Sequence, residues 1–199
     1  MLIVTPDYVT QTVAPTVEPI TATEAKLHCR VDISTDDSLI AALIVAARQY
    51  CEYYTGRAFV TRTLRADICY FYDQTRLPHK PIQSISSVKY YNTASPSVLT
   101  TLDSGVYALV RDMVVRNDGQ TWPSVYPRLD AIEITYVAGY ESTSSPLDYA
   151  AVVPDAIKQA MYLVIGDLYE NREGQVLYPG QIQVNKTVNM LLDSYRVYI

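Results

Sequence analysis

The chain has 199 residues, of which 49% are hydrophobic and 19% charged, and this composition excludes a protein that is disordered throughout. Its net charge is −5, and the excess lies in residues 101–199, which hold twelve acidic and seven basic side chains against nine of each in residues 1–100. Proteins that grip DNA phosphates normally have basic surfaces, so this balance argues against a sequence-specific nucleic-acid-binding protein.

The first 20 residues contain Pro6, Pro15 and Pro19 among threonines and valines, which predicts an extended N-terminal arm rather than a helix. No basic segment precedes an apolar run here, as it would in a signal peptide. The longest apolar run, residues 39–47, is too short to cross a bilayer. We therefore expect a soluble, intracellular protein with no membrane partner.

Residues 21–59 predict the first helical half of a core. Thr21 and Glu24 form a capping-box pattern, which predicts a short helix over residues 22–30. A long helix is predicted over residues 36–59, with Gly56 as its stop signal. Its apolar stripe at helical spacing consists of Leu39, Leu43, Ala47, Tyr50, Cys51 and Tyr54.

Residues 60–140 change to a period of two, which indicates an inserted β region. In the first segment, Val60–Tyr72, one face carries Val60, Leu64, Ala66, Ile68 and Tyr70. Further strands are predicted at residues 82–91, 106–110, 113–116 and 131–137. These segments predict a small antiparallel sheet or sandwich.

The pattern of residues 153–199 predicts the second helical half of the core, followed by a C-terminal tail. A long helix is expected over residues 154–173, with an apolar stripe made by Ile157, Ala160, Met161, Val164 and Leu168. Residues 175–187 form a loop of low charge, and a short helix follows over 188–194. Neither long helix can bury its stripe alone, so we expect the two to pack together. The predicted fold is α+β: a small helical bundle of two long and two short helices with an inserted antiparallel β region.

The three cysteines, Cys29, Cys51 and Cys69, form no CxxC pair, and we interpret them as reduced packing residues. His28 lies beside Cys29 on a short helix, where neighbouring side chains diverge, so this pair makes a poor metal site. His79 stands near prolines in a turn, where we expect a solvated side chain.

Two pairs of acidic residues could have either a functional or a purely structural role. Asp36 and Asp37 could hold a metal ion, but acidic caps at helix starts are much commoner. Glu170 and Glu173 share a helix face and could act as paired carboxylates, although a solvated helix end explains them better. Phosphate-binding loops, dinucleotide fingerprints and zinc-protease motifs are absent from the sequence. We therefore expect no catalytic residue, no metal, no cofactor and no enzymatic activity.

Several ordered segments resemble the phage head–tail connector (adaptor) family of tailed phages. The opening of that family is similar to Pro19–Asp32, PITATEAKLHCRVD, followed by Asp36–Arg57, DDSLIAALIVAARQYCEYYTGR. Its second signature is similar to Val153–Glu173, VPDAIKQAMYLVIGDLYENRE, and the strand before it is similar to the one ending at Tyr136–Tyr140. The resemblance covers most of residues 19–173.

This resemblance implies a structural virion protein without catalytic residues or cofactor. It would form a ring of twelve copies under the portal, extend the DNA channel and present a platform for the stopper or the tail. Its partners would be other copies of itself, the portal protein, a stopper or tail-completion protein, and double-stranded DNA passing through the lumen without specific binding. It would reside at the virion neck, and in the host cytoplasm during assembly. The alternatives are another neck or tail-completion protein and a DNA-packaging-associated nucleic-acid-binding module.

Two sets of contact residues are expected. The C-terminal residues alternate as a strand would and are expected to add to a sheet edge on the portal, the alternative being a frayed terminus. The docking residues are Tyr195, Val197, Tyr198 and Ile199. The loop at residues 175–187 is expected to contact the tail or a neighbouring subunit through Val176, Tyr178 and Ile182. The acidic second half is expected to line the lumen and to repel DNA.

Overall fold

The structure, a computed structural model, describes residues 3–6, 8–171 and 186–197. The chain folds into two compact units, and each is assembled from two separate stretches of sequence. The β unit comprises Met1–Pro15 and Thr61–Gly139, and the helical unit comprises Thr16–Val60 and Tyr140–Ile199. Within the described part of the chain, no helix is long and apolar enough to cross a membrane.

The helical unit contains four helices in its described residues: α1 Ala22–Cys29, α2 Asp37–Thr55, α3 Asp155–Glu170 and α4 Lys186–Asp193. Helix α2 packs against α3, α4 packs mainly against α3, and α1 contacts both long helices. The predicted pairing of the two long helices is therefore confirmed, as is the α+β class.

Local sequence sets the helix ends. At the start of α1 the Thr21 side chain accepts a hydrogen bond from the Glu24 backbone N–H, and the Glu24 carboxylate accepts one from Thr21 N–H at 2.7 Å. This is the predicted capping box. Helix α2 ends at Thr55 because Gly56 adopts φ +67°, a conformation that favours glycine, and donates to the Glu52 carbonyl. The predicted stop at Gly56 is therefore confirmed, whereas residues 57–59, which the predicted range 36–59 included, lie outside the helix.

The core of the helical unit lies between its helices and has a slightly different face from the predicted one. The buried apolar side chains of α2, α3 and α4 are Ile40, Ile44, Ala47, Cys51, Ile157, Ala160, Met161, Ile165, Val188 and Leu192. Leu43 and Val164 are only half-buried, whereas Tyr50 and Leu168 are each 42% exposed. Helices α2 and α3 are apolar over a wide arc, so periodicity alone left the centre of the buried face uncertain by one residue.

The β unit holds nine described strands in two sheets. They are β1 Ile3–Val4, β2 Tyr8–Val13, β3 Arg62–Ile68, β4 Gln74–Arg76, β5 Ile82–Tyr91, β6 Leu99–Thr101, β7 Tyr107–Val110, β8 Met113–Arg116 and β9 Ile132–Ala138. The five-stranded sheet has the order β2-β3-β9-β5-β6 and is antiparallel throughout. The four-stranded sheet has the order β1-β4-β8-β7, in which only the β1–β4 pair is parallel.

The strands predicted at 82–91 and 113–116 have the predicted bounds, whereas β3 is shorter than the predicted Val60–Tyr72. Strands β1 and β2 arise from the segment that we expected to be an extended arm, and β2 pairs with β3. Strands β4 and β6 were not predicted, because three residues are too few to establish an alternating pattern.

The five-stranded sheet has one buried face and one polar face. Register aligns Leu64 with Tyr136 and Ala66 with Ile134, and all four side chains are buried. Tyr70, which was predicted to share this face, lies beyond the end of β3 and is 53% exposed. Alternation therefore identified the buried face correctly but overran the strand.

Candidate interaction surfaces

A buried charge cluster ties α2 to the segments before and after it. Arg48 donates to the Glu18 carboxylate at 2.6 and 3.1 Å and to Glu52 at 2.8 Å. The other oxygen of Glu52 accepts from the Phe59 backbone N–H at 2.7 Å. Arg48 and Glu52 are each 5% exposed. The cluster therefore joins α2 to the segment before α1 and to the segment that follows α2.

Burial of the Arg48 guanidinium disfavours its charged form. The hydrogen bonds that Arg48 donates to Glu18 and Glu52, together with the attraction of both carboxylates, outweigh that effect and raise the pKa of Arg48. The guanidinium therefore stays charged inside the helical unit. A buried charge of this kind is stable only while its partners remain in place. The cluster is a structural element, and its side chains are already paired with one another.

The C-terminal segment packs on the end of α2 in the same unit. Val197 N–H donates to the Thr55 carbonyl at 2.8 Å, and the Arg57 side chain donates to the Tyr195 carbonyl. The Tyr54 hydroxyl donates to the Asp193 carboxylate at 2.6 Å. This segment is therefore attached to the helical unit of its own chain as far as residue 197.

Two of the four predicted portal-docking residues, Tyr195 and Val197, are half-buried in this contact. Residues 194–195 form a turn, and residues 196–197 are not in a strand. The other two docking residues, Tyr198 and Ile199, lie outside the described residues. The docking role of these four side chains stays a prediction.

The predicted contact loop, with Val176, Tyr178 and Ile182, also lies outside the described residues. Its role in binding the tail or a neighbouring subunit stays a prediction.

His28 and Cys29, which were considered above as a possible metal pair, make packing contacts within the helical unit. The ring of His28 stacks on that of Tyr162 with centroids 5.4 Å apart, and its Nε2 lies next to Gly166. Burial, with a smaller contribution from the negative charge of Glu170, raises the pKa of Cys29. A raised pKa makes a thiol a poorer nucleophile at neutral pH.

The acidic pair at the start of α2 takes part in contacts between helices. Asp36 accepts a hydrogen bond from the Tyr169 hydroxyl at 2.6 Å, and Asp37 forms an ion pair with Lys26 at 2.6 Å. Within residues 3–6, 8–171 and 186–197, no three histidine, cysteine or acidic side chains are grouped so that they could hold a metal ion.

A cavity of about 500 Å³ opens on the β unit. It is lined by Thr5, Pro6, Tyr8, Arg65, Asp67, Ile68, Cys69, Tyr72, Leu129 and Asp130. Its charged groups are already paired. Arg65 donates a hydrogen bond to the Asp67 carboxylate at 3.1 Å, and Asp130 accepts two hydrogen bonds of 2.6 Å from Arg128. Arg65, Asp67 and Asp130 are therefore held in ion pairs at the cavity wall.

The tyrosines divide between the interior and the surface. Tyr136 is fully buried, and its hydroxyl donates to the Pro78 carbonyl at 3.2 Å. Tyr53 on α2 is 90% exposed, and Tyr8 on β2 is 62% exposed. Large exposed apolar side chains also include Leu129 and Leu27. Exposed aromatic residues of this kind are typical of surfaces that a partner covers.

Residues 19–106 match the family model of the phage gp6-like head-tail connector proteins. The resemblance to head–tail connectors expected from the sequence is confirmed. The matched stretch runs from before the capping box of α1 through α2 and into the β unit as far as residue 106. It therefore contains the whole Arg48–Glu52 pair and the five-stranded sheet apart from β2 and β9.

Solved structures similar to this chain come from gene transfer agent (GTA) particles. One is from the neck of an empty GTA particle computed with C6 symmetry, with a TM-score of 0.75, 21% identity and 96% of each chain covered. A second, from the virion of a native GTA particle, has a TM-score of 0.70 with the same identity and coverage. A third, from the neck of a native particle computed with C12 symmetry, has a TM-score of 0.62, 21% identity and covers 94% of this chain and 96% of the other. This similarity extends the shared fold to nearly the full length of the chain.

Proposed function

We propose that this chain is a structural head–tail connector subunit, which forms a ring at the neck of a phage-like particle. The match of residues 19–106 to the connector family carries the proposal. The agreement in fold with chains from GTA particles supports it, because two of those chains belong to necks computed with C6 and C12 symmetry. The proposed ring holds twelve copies, surrounds the DNA channel and has no catalytic activity.

The proposed partners are the portal protein above the ring and a stopper or tail-completion protein below it. Double-stranded DNA passes through the lumen without specific binding. The ring resides in the virion, and its subunits assemble in the host cytoplasm. The contacts between the copies are heterologous, since a ring forms only when different surfaces of neighbouring subunits meet. The buried Arg48 cluster and the docked C-terminal segment give each subunit a stable body for such contacts.

Electron microscopy tests the proposal directly. The purified protein is imaged in negative stain, alone and mixed with the portal protein of the same particle. Rings of uniform diameter, either free or attached to the portal, are the expected result. If neither preparation contains rings and the portal remains bare, the connector function is wrong. A salt-sensitive complex with DNA in the same assay would favour the nucleic-acid-binding alternative.

Portal docking by the C-terminal residues needs a second experiment. Removing Tyr198 and Ile199 keeps the contacts of Tyr195 and Val197 with the helical unit, so the fold should be unchanged. We expect the truncated protein to lose portal binding in co-sedimentation. Leu27→Ala, which changes an apolar residue 80% exposed on α1, is the matched control. Unimpaired portal binding by the truncated protein would show that docking uses another surface.

A further inference from the structure

The five-stranded sheet ends in two strands that carry no charged side chain. Its outer strands are β2, with the sequence YVTQTV, and β6, with the sequence LTT. An outer strand has a row of backbone N–H and C=O groups on its open side that another chain can pair with. The two strands lie at opposite sides of one sheet, four strand spacings or about 19 Å apart.

Monomeric proteins usually protect such edges with charged side chains, prolines or irregular pairing. Strand β2 has only a register shift between Gln11 and Val13, so the regular stretch is Tyr8–Gln11. Apolar side chains are exposed along both edges: Tyr8 is 62% and Val13 55% exposed, while Val98 and Leu99 beside and in β6 are 54% and 37% exposed. Both edges therefore combine open backbone groups with exposed apolar surface.

The four-stranded sheet is a weaker candidate for the same role. Its edge strand β7, Tyr107–Val110, is also uncharged, but the opposite edge is β1, which has only two residues. Among the described strands, only the five-stranded sheet offers two opposite edges of three or more residues without charge. A contact that repeats from subunit to subunit needs two such surfaces on each copy.

We propose that β2 of one subunit pairs with β6 of the neighbouring copy, so that the five-stranded sheets join edge to edge around the ring. The occupant of each edge is a second copy of this chain. Backbone hydrogen bonds would supply the affinity, and threonine and apolar side chains on the two strands would form the cross-strand pairs. The contact is heterologous, whereas pairing of β2 with a second β2 would give a closed two-fold dimer. This inference rests on the proposed ring.

Engineered disulfides test the pairing. Cysteine is introduced at Thr101 of β6 together with Val9, Thr10 or Gln11 of β2 in turn, in a Cys29→Ala, Cys69→Ala background. Directly opposed residues on paired strands have the Cα separation that a disulfide requires. Under mild oxidation, we expect at least one of the three double variants to give a ladder of covalent oligomers on a non-reducing gel. Thr121→Cys combined with Thr10→Cys is the matched control, because Thr121 is exposed but lies outside every strand.

Single-cysteine variants separate the alternatives. A mixture of the two singles should give only a dimer that contains one copy of each, and neither single should cross-link alone. A dimer formed by the β2 single alone would indicate two-fold pairing and would overturn the proposal. Rings seen by microscopy, with no β2–β6 cross-link in any of the three double variants, would overturn the pairing while leaving the connector function intact. Absence of rings with and without portal protein would overturn both.

A lysine on the edge provides an independent measurement. Gln11→Lys places a charge on the regular part of β2, where a neighbouring strand would have to bury it. We expect this variant to remain folded and to lose its rings in native mass spectrometry, while Thr121→Lys keeps them. Rings of unchanged abundance in Gln11→Lys would contradict the edge-to-edge contact.

Discussion

Arg48 and Glu52 lie one helical turn apart on α2 and are joined by a 2.8 Å hydrogen bond, although each residue is only 5% exposed. Glu18 completes the cluster from the segment before α1. Removing one member of a buried ion pair leaves the remaining charges without compensation, and this usually costs far more than the intact pair contributes.

We therefore expect Arg48→Met to lower the free energy of unfolding by about 3–5 kcal/mol. The variant leaves the Glu18 and Glu52 carboxylates without their cation. Urea denaturation followed by circular dichroism measures the change. Arg30→Met is the control, since Arg30 is exposed, and we expect it to change stability by less than about 0.5 kcal/mol. Equal losses in the two variants would mean that the cluster does not stabilise the helical unit.

The end of α2 gives a second prediction. Gly56 has φ +67°, and a Cβ there would lie 3.6 Å from the Val197 side chain, which is ordinary contact. The cost of Gly56→Ala should therefore come from backbone strain alone, about 1 kcal/mol of unfolding free energy. Gly56→Asn should cost less, because asparagine tolerates this conformation better. A loss several times larger in Gly56→Ala would imply that the C-terminal contact is displaced.

The burial of Cys51 predicts that the folding stability of the protein decreases at alkaline pH. Burial, with a smaller contribution from the negative charge of Glu52, raises the pKa of this thiol from 9.0 to about 12. Because the folded-state pKa is the higher one, the thiol contributes stability that is complete below about pH 9 and is lost as pH rises towards 12. We expect the stability of the wild type to fall more steeply between pH 9 and 11 than that of Cys51→Ala.

Cys69→Ala is the control for this measurement, because Cys69 is only half-buried. Chemical denaturation at a series of pH values gives the three curves. Parallel curves for wild type and Cys51→Ala would contradict the assigned burial of the thiol. Thiol labelling at pH 8 adds a second readout, in which Cys51 should react only after unfolding.

The charge distribution predicts weak interaction with DNA. The chain has a net charge of −5, and the acidic excess lies in residues 101–199. We expect no measurable binding to a labelled DNA duplex by fluorescence anisotropy at about 0.15 M salt. Binding that weakens steeply as salt increases would reveal a basic surface and would favour the packaging alternative.

Much of the helical unit was predictable from the sequence because its signals are local. The capping box at Thr21 and Glu24 and the glycine stop at Gly56 both act where they stand in the sequence. The shared core of α2 and α3 followed from two apolar stripes that need a partner. The choice between Leu43 and Ile44 as the buried residue depends on packing between helices, which periodicity does not resolve.

The β unit was less predictable because its pairing is not local. Strand β2 pairs with β3 across more than fifty residues, with Val9 opposite Ala66, and the prolines on either side of it suggested an arm. The contact residues were harder still. Arg48 and Glu52 appeared in the sequence as ordinary polar positions, since only Glu18 and the Phe59 backbone amide, far apart along the chain, give them their burial and their partners.

The two units alternate along the chain: the first part of the helical unit lies between the two parts of the β unit, and the second part follows them. The order in which the ribosome makes these parts therefore decides which unit can fold first. When the ribosome has made Gly139, every segment of the β unit exists, but the helical unit still lacks α3 and α4. Among the described residues, Leu192 on α4 is the last buried core residue in chain order. Premature termination anywhere before it leaves an open core in the nascent protein, which is exposed to proteases and chaperones. Only chains translated through α4 can supply subunits for assembly.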